Sequence, residues 1–216
     1  AARDDHGFYT YSDLVLNLKD KGFEQTEKQD RVQLAEKEWI KGINYFSSFS
    51  RTVKTNLGNE VTVKINLLLS KTEPNETDTT FPRLYVKALK ESDLVAYDGH
   101  SGLGANLSFD YLPRFSFKSN YQILFLNGCS SYPYFNQNYF EKKPNGSKDM
   151  EIITSGLSTL TSTSTSNMMA FLNPFLDGKT ISYQTLLNAI EKSNGGEATY
   201  LMGVNGDEDN SFKSKK

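Results

Sequence analysis

Apolar positions along this chain come in short stretches that stop at glycine and small polar residues, and their spacing changes character along its length. In the first third the spacing is helical. Ser12-Asp13 offers an N-cap ahead of Leu14-Val15-Leu16-Asn17-Leu18, and Gly22 stands where a C-terminal glycine closes a helix. A second periodic stretch from Val32 to Val53 sets Leu34, Trp39, Ile40, Ile43, Phe46 and Phe49 near one helical face, with Trp39 expected in the core. Val61 to Leu69 first alternates and then turns fully apolar, which predicts a strand entering a buried sheet. Residues 71–80 are polar and rich in breakers, so a mobile, protease-sensitive loop is expected there.

From Phe81 onward the pattern is regular. A helix over 82–91, a strand over 94–97, a strand over 121–126 and a helix over 134–141 are predicted in turn. A strand over 151–154, helices over 166–176 and 183–192, and a last strand over 198–204 follow. Strands alternating with helices point to an α/β fold with a mostly parallel sheet flanked by helices. The organisation read from this is a helical N-terminal segment over 1–58 packed on the core, an α/β core over 59–210 and a tail over 211–216. In such sheets ligands bind beyond the carboxyl ends of the strands. The polar ends after residues 97, 126, 154 and 204 are therefore expected on one rim.

Composition narrows the picture without redirecting it. The 216 residues are enough for a sizeable core, and one cysteine excludes an internal disulfide. The 24 basic and 26 acidic residues are interspersed and leave a net charge of −2, without the basic stripe of a nucleic-acid binder. No apolar stretch reaches the roughly 20 residues of a membrane span. The Ala1-Ala2 start is compatible with cleavage after a secretory signal and equally with a cloning remnant; a secreted or periplasmic protein is the expectation.

The chemistry concentrates at two strand ends. Leu94-Val95-Ala96-Tyr97 runs into Asp98-Gly99-His100-Ser101-Gly102, and Ile123-Leu124-Phe125-Leu126 runs into Asn127-Gly128-Cys129-Ser130-Ser131. A thiol and an imidazole on one edge of a parallel sheet make a nucleophile and its base. His6 is the sole other histidine. A buried structural cysteine and a hairpin tip at Asp98-Gly99 are the plainer alternatives. Gly128 with the serines that follow, and the lack of a second alternating strand after His100, favour the catalytic one. Gly99-His100-Ser101-Gly102-Leu103 misses the nucleophile elbow of serine hydrolases, which needs glycine where Leu103 stands. Two histidines and one cysteine make no zinc site of usual spacing, and Asn205 to Asn210 lacks the frame of a calcium-binding EF-hand. No metal or other cofactor is called for.

These segments resemble the caspase-like cysteine peptidase superfamily, most closely its gingipain-like branch. Members carry a strand ending in His-Gly and a later parallel strand ending in a small residue and Cys. Here the counterparts are Tyr97-Asp98-Gly99-His100-Ser101-Gly102 and Leu126-Asn127-Gly128-Cys129, with Tyr200 to Asp207 like the late strand ending in Gly-Asp. The likeness covers about residues 60 to 207. Ser101 stands where the family usually has glycine, and Cys129 follows His100 by 29 residues against roughly 50 in caspases. The resemblance implies a caspase-like fold and a cysteine peptidase acting on a peptide or protein. His100 would be general base and acid, Cys129 the nucleophile, and backbone N–H groups at Ser101 and Cys129 would hold the oxyanion. The alternative is a catalytically silent domain of the same fold that binds a peptide or surface through Tyr132, Tyr134, Phe135, Tyr139 and Phe140. Substrate specificity, activation and oligomeric state leave no readable mark.

Overall fold

Residues 6–30, 33–35, 38–39, 45–70, 80–195 and 200–210 are described by a computed structural model, and they divide into two compact units. The first unit comprises residues 1–71 and 161–189, the second residues 72–160 and 190–216. Among the described residues no helix is long and apolar enough to cross a membrane.

The first unit opens with helix α1 (His6–Asp20), whose buried face is Thr10, Leu14 and Leu18 at four-residue spacing. Ser12 and Asp13 lie inside this helix and do not cap it. Its end is as expected: Gly22 has φ +78°, Gly22 N–H donates to Lys19 O at 2.8 Å and Phe23 N–H to Leu18 O at 3.0 Å, the paired bonds of a Schellman cap. Among the described residues of the stretch from Val32 to Val53, the expected helix does not form. After strand β1 (Glu24–Gln29), strands β2 (Gln33–Ala35), β3 (Glu38–Trp39) and β4 (Tyr45–Lys54) occupy the described part of this stretch. Along β4 the buried positions are Ser47, Phe49 and Val53, all of one parity, and serine, threonine and aromatic residues suit a pleated surface better than a helix. The expected burial of Trp39 lies outside the described side chains.

Strand β5 (Glu60–Leu69) forms where a strand was expected, but it does not enter a buried sheet. It pairs antiparallel with β4 from Tyr45↔Leu69 to Lys54↔Glu60, at the edge of a three-stranded sheet ordered β1-β4-β5, and Val61 is largely exposed. Helix α4 (Ser164–Leu176) also belongs to this unit, with a buried face of Met168, Met169, Phe171 and Leu176. The loop expected at 71–80 lies outside the described residues except Thr80, which begins a helix.

The second unit is the α/β part. Helix α2 (Thr80–Glu91) leads into β6 (Leu94–Asp98), followed by β7 (Gln122–Asn127), helix α3 (Gln137–Lys142) and β8 (Met150–Ser155). Helix α5 (Tyr183–Ser193), which carries the boundary between the units, precedes β9 (Met202–Asn205). The sheet order is β6-β7-β8-β9. The first three strands are parallel, in register Leu94↔Ile123 to Asp98↔Asn127 and Gln122↔Met150 to Leu126↔Thr154. As expected for a central strand of a parallel sheet, β8 is buried throughout. Tyr85, Leu89, Leu107, Phe117, Phe135 and Tyr139 join the strands in the core.

β9 departs from expectation. It runs antiparallel to β8, pairing Ser155 with Met202 and Ile152 with Asn205. The polar stretch after residue 204 therefore lies at the opposite end of the sheet from the other three strand ends, and the start of β9 takes its place: Gly156 N–H donates to Tyr200 O at 3.0 Å.

The end of β7 away from Cys129 is pinned by polar side chains. Buried Lys143 donates to Lys118 O at 2.8 Å, Asn120 O at 2.6 Å and Gln122 Oε1 at 2.8 Å, while Gln122 donates to Leu89 O and Ser92 O. Burial lowers the Lys143 ammonium to about 8.

Candidate functional site

Parallel pairing of β6 with β7 fixes the register of the two loops that carry the candidate dyad. Asp98 is opposite Asn127, so His100 and Cys129 each lie two residues beyond a matched pair at the same end of the sheet. The side chains of that pair join the strand ends, Asn127 Nδ2 donating to Asp98 Oδ1 at 2.5 Å. Gly99 N–H extends the ladder by donating to Asn127 O at 3.3 Å.

Two glycines let the backbones come close. A Cβ on Gly99 would come within 2.9 Å of the Tyr97 hydroxyl, which donates to His100 O at 2.7 Å. A Cβ on Gly128 would lie 3.0 Å from Gly99 O and 3.4 Å from both Ser101 N and Ser101 Cβ. The peptide before Cys129 thus rests directly on the peptides around His100. Asn106 Nδ2 also donates to His100 O at 2.7 Å, so the backbone of His100 is held by two side chains while its imidazole faces solvent.

Cys129 is half-buried, and its thiol contacts Thr159, with Sγ 3.5 Å from Thr159 O and 3.9 Å from Thr159 Oγ1. Among the described residues the His100 ring makes no hydrogen bond, to Cys129 or to any other group. Two backbone donors are left over at the same place. Ser101 is buried, and among the described residues neither its N–H nor that of Cys129 donates a hydrogen bond.

Several supporting residues escaped the sequence. Ser131, taken only as a mark of the strand's exit, is wholly buried: its Oγ donates to Leu126 O at 2.8 Å and accepts from Ser155 N–H at 2.9 Å. Ser155 Oγ lies 2.7 Å from Gly128 O and 2.9 Å from Leu157 O, sharing its one proton between them. Ser130 has φ +46° and donates its N–H to Leu157 O at 2.9 Å, so the chain turns sharply after the thiol. Positive φ at serine carries a backbone cost, and such strain is concentrated at functional sites. Neither Thr159 nor Ser155 carries a local sequence signal, since both reach the site only through the pairing of β7 with β8.

The aromatic cluster proposed as a binding surface is mostly core. Phe135 and Tyr139 are buried, Tyr134 and Phe140 pack against the core, and only Tyr132 is well exposed. The expected helix there is shorter than 134–141. Asn136 caps it by accepting from Gln137 N–H, which delays its start.

A second titratable group of note lies at the far end of the sheet. Glu151 is buried on β8, its Oε1 accepting from the Tyr121 hydroxyl at 3.0 Å. Burial raises its carboxyl to about 7, with Asp207 and Asp209 adding to the rise while Tyr121 and Asn210 oppose it. No protein-family model matches this chain, and neither a curated protein nor a solved structure matches it significantly.

Proposed function

We propose that the protein is a cysteine peptidase of the caspase-like kind, closest to the gingipain-like branch, using His100 and Cys129 to hydrolyse peptide bonds. The observation that carries the reading is the shared register of the two residues beyond adjacent parallel strands, with Ser101 N–H packed against the peptide preceding the nucleophile. The chemistry would run in two halves. His100 takes the thiol proton, and the Cys129 thiolate attacks the scissile carbonyl carbon, forming a C–S bond and an oxyanion that accepts from the Ser101 and Cys129 amides. Collapse of that intermediate breaks the C–N bond, and the amine leaves with the proton from His100. Water, deprotonated by His100, then attacks the thioester and releases the carboxylic acid and the free thiol.

A second reading has its own support. The contact of Sγ with Thr159 and the solvent-facing imidazole favour a silent domain that holds a peptide on the same rim. Alkylation separates the two. For a peptidase, Cys129 reacts with iodoacetamide at neutral pH faster than a free cysteine, and His100→Ala removes the advantage. Cys129→Ala abolishes turnover of a peptide substrate, His100→Ala slows it by at least ~100-fold, and His6→Ala leaves it unchanged. Alkylation at the rate of a free cysteine, indifferent to His100→Ala, would establish the silent domain instead.

A further inference from the structure

The segments that follow His100 and Cys129 border a cavity of about 280 Å³ that is open to solvent. One wall is the turn after His100, with Leu103, Gly104 and Ala105; the other comes from the segment after Cys129, with Tyr134 and Asn138. Both walls are tied to the site. Gly104 N–H donates to Ser101 O at 2.9 Å, and Tyr134 N–H donates to Ser131 O at 3.2 Å. Leu103 and Gly104 have φ of +54° and +89°, which folds the turn back on itself. A Cβ on Gly104 would come within 2.9 Å of the Tyr134 ring, so a side chain at 104 would press on the ring that forms the opposite wall.

The volume lies just under the roughly 300 Å³ at which pockets for whole small molecules begin, a size suited to one amino-acid side chain. No lining residue is charged. An arginine, lysine or aspartate side chain entering it would lose water and gain no ionic partner, whereas an aromatic or branched aliphatic one would cover apolar surface. That surface is now in water: Leu103 is 81% exposed and Tyr111, which also lines the cavity, 52%. Tyr132, Leu157, Leu160 and Leu201 are likewise exposed on the loops after β7 and β8 and at the start of β9. Exposed apolar side chains thus recur on the loops at this end of the sheet outside the cavity.

Resting on the peptidase reading above, we infer that this cavity takes the side chain of the substrate residue whose carbonyl is attacked, and that this residue is aromatic or branched aliphatic rather than charged. The test uses four peptidyl acyloxymethyl ketones that differ only in the residue joined to the electrophile: Phe, Leu, Arg or Asp. Labelling of Cys129 by the Phe or Leu probe should be at least about tenfold faster than by either charged probe. An Arg or Asp probe that labels as fast or faster overturns the inference. Asn138→Asp, on the exposed side of α3, supplies a partner for a cation and should narrow the Phe-to-Arg ratio several-fold; an unchanged ratio removes this cavity from substrate recognition. Iodoacetamide, which carries no side chain, keeps the two readings apart. His100-dependent alkylation together with an Arg-first probe order sinks the subsite alone. A thiol that alkylates like free cysteine and takes up none of the four probes sinks the peptidase reading and the subsite with it.

Discussion

Ser131 shows how much of the site depends on hydroxyls that never face a substrate. Its oxygen joins Leu126 O on β7 to the amide of Ser155 on β8, and Ser155 in turn holds Gly128 O, so the backbone leading into Cys129 is braced from β8. Ser131→Ala would leave a carbonyl and an N–H buried without that partner. The expected cost is about 1–3 kcal/mol, seen as a lower urea midpoint at unchanged slope. On the peptidase reading, turnover should fall as well, because the backbone that aims the thiol loosens. At this scale the sequence was partly legible. His100 and Cys129 stood out because both residue types are rare here and both follow an apolar run. Ser131, Ser155 and Thr159 did not, since serine and threonine are common in this chain and their partners are backbone atoms on another strand.

Among the elements, β6 and β7 were read correctly because each is a compact apolar run between breakers, which suits β7, buried almost throughout, and β6, buried on alternate residues at the sheet edge. β4 was misread because Phe46 and Phe49 are spaced as on a helix, while the alternation of Ser47, Phe49 and Val53 was concealed among half-buried neighbours. The direction of β9 was hidden for another reason: strand composition does not encode direction, and only the path of the intervening chain decides it. The close approach of the two site loops gives a prediction at this scale. Gly128→Ala places a methyl group 3.0 Å from Gly99 O and 3.4 Å from Ser101 N, so the strand ends must part by a few tenths of an ångström. Core packing away from this point is untouched. The peptidase reading therefore expects kcat/KM to fall by about 10- to 100-fold with a much smaller change in thermal midpoint. A variant that loses both in proportion would show that Gly128 serves stability alone.

For the molecule as a whole, the antiparallel course of β9 brings the acidic 205–210 stretch to the end of the sheet where Glu151 is buried. A Cβ on Gly206 would lie 3.2 Å from Glu151 Oε2, and Ser147 Oγ donates to Asp209 Oδ2 at 3.0 Å. Burial, with Asp207 and Asp209 nearby, raises the Glu151 carboxyl to about 7 against the ordinary 4.5. The folded state therefore holds this proton in a range where the unfolded chain has released it, and the contribution of Glu151 to stability falls as pH rises from about 4.5 to 7. The full shift corresponds to about 3 kcal/mol, reduced to about 1–2 kcal/mol by water screening of the acidic loop. Glu151→Gln keeps the shape and an acceptor for Tyr121 but cannot ionise. Its unfolding free energy should lack this downward component between pH 4.5 and 7, and above pH 7 it should exceed that of the wild type. Trp39 belongs to the other unit, so urea titrations read by tyrosine circular dichroism are the suitable measure. Parallel pH profiles for the two proteins would show that Glu151 is ionised in the folded state throughout, and that solvent reaches the far end of this sheet.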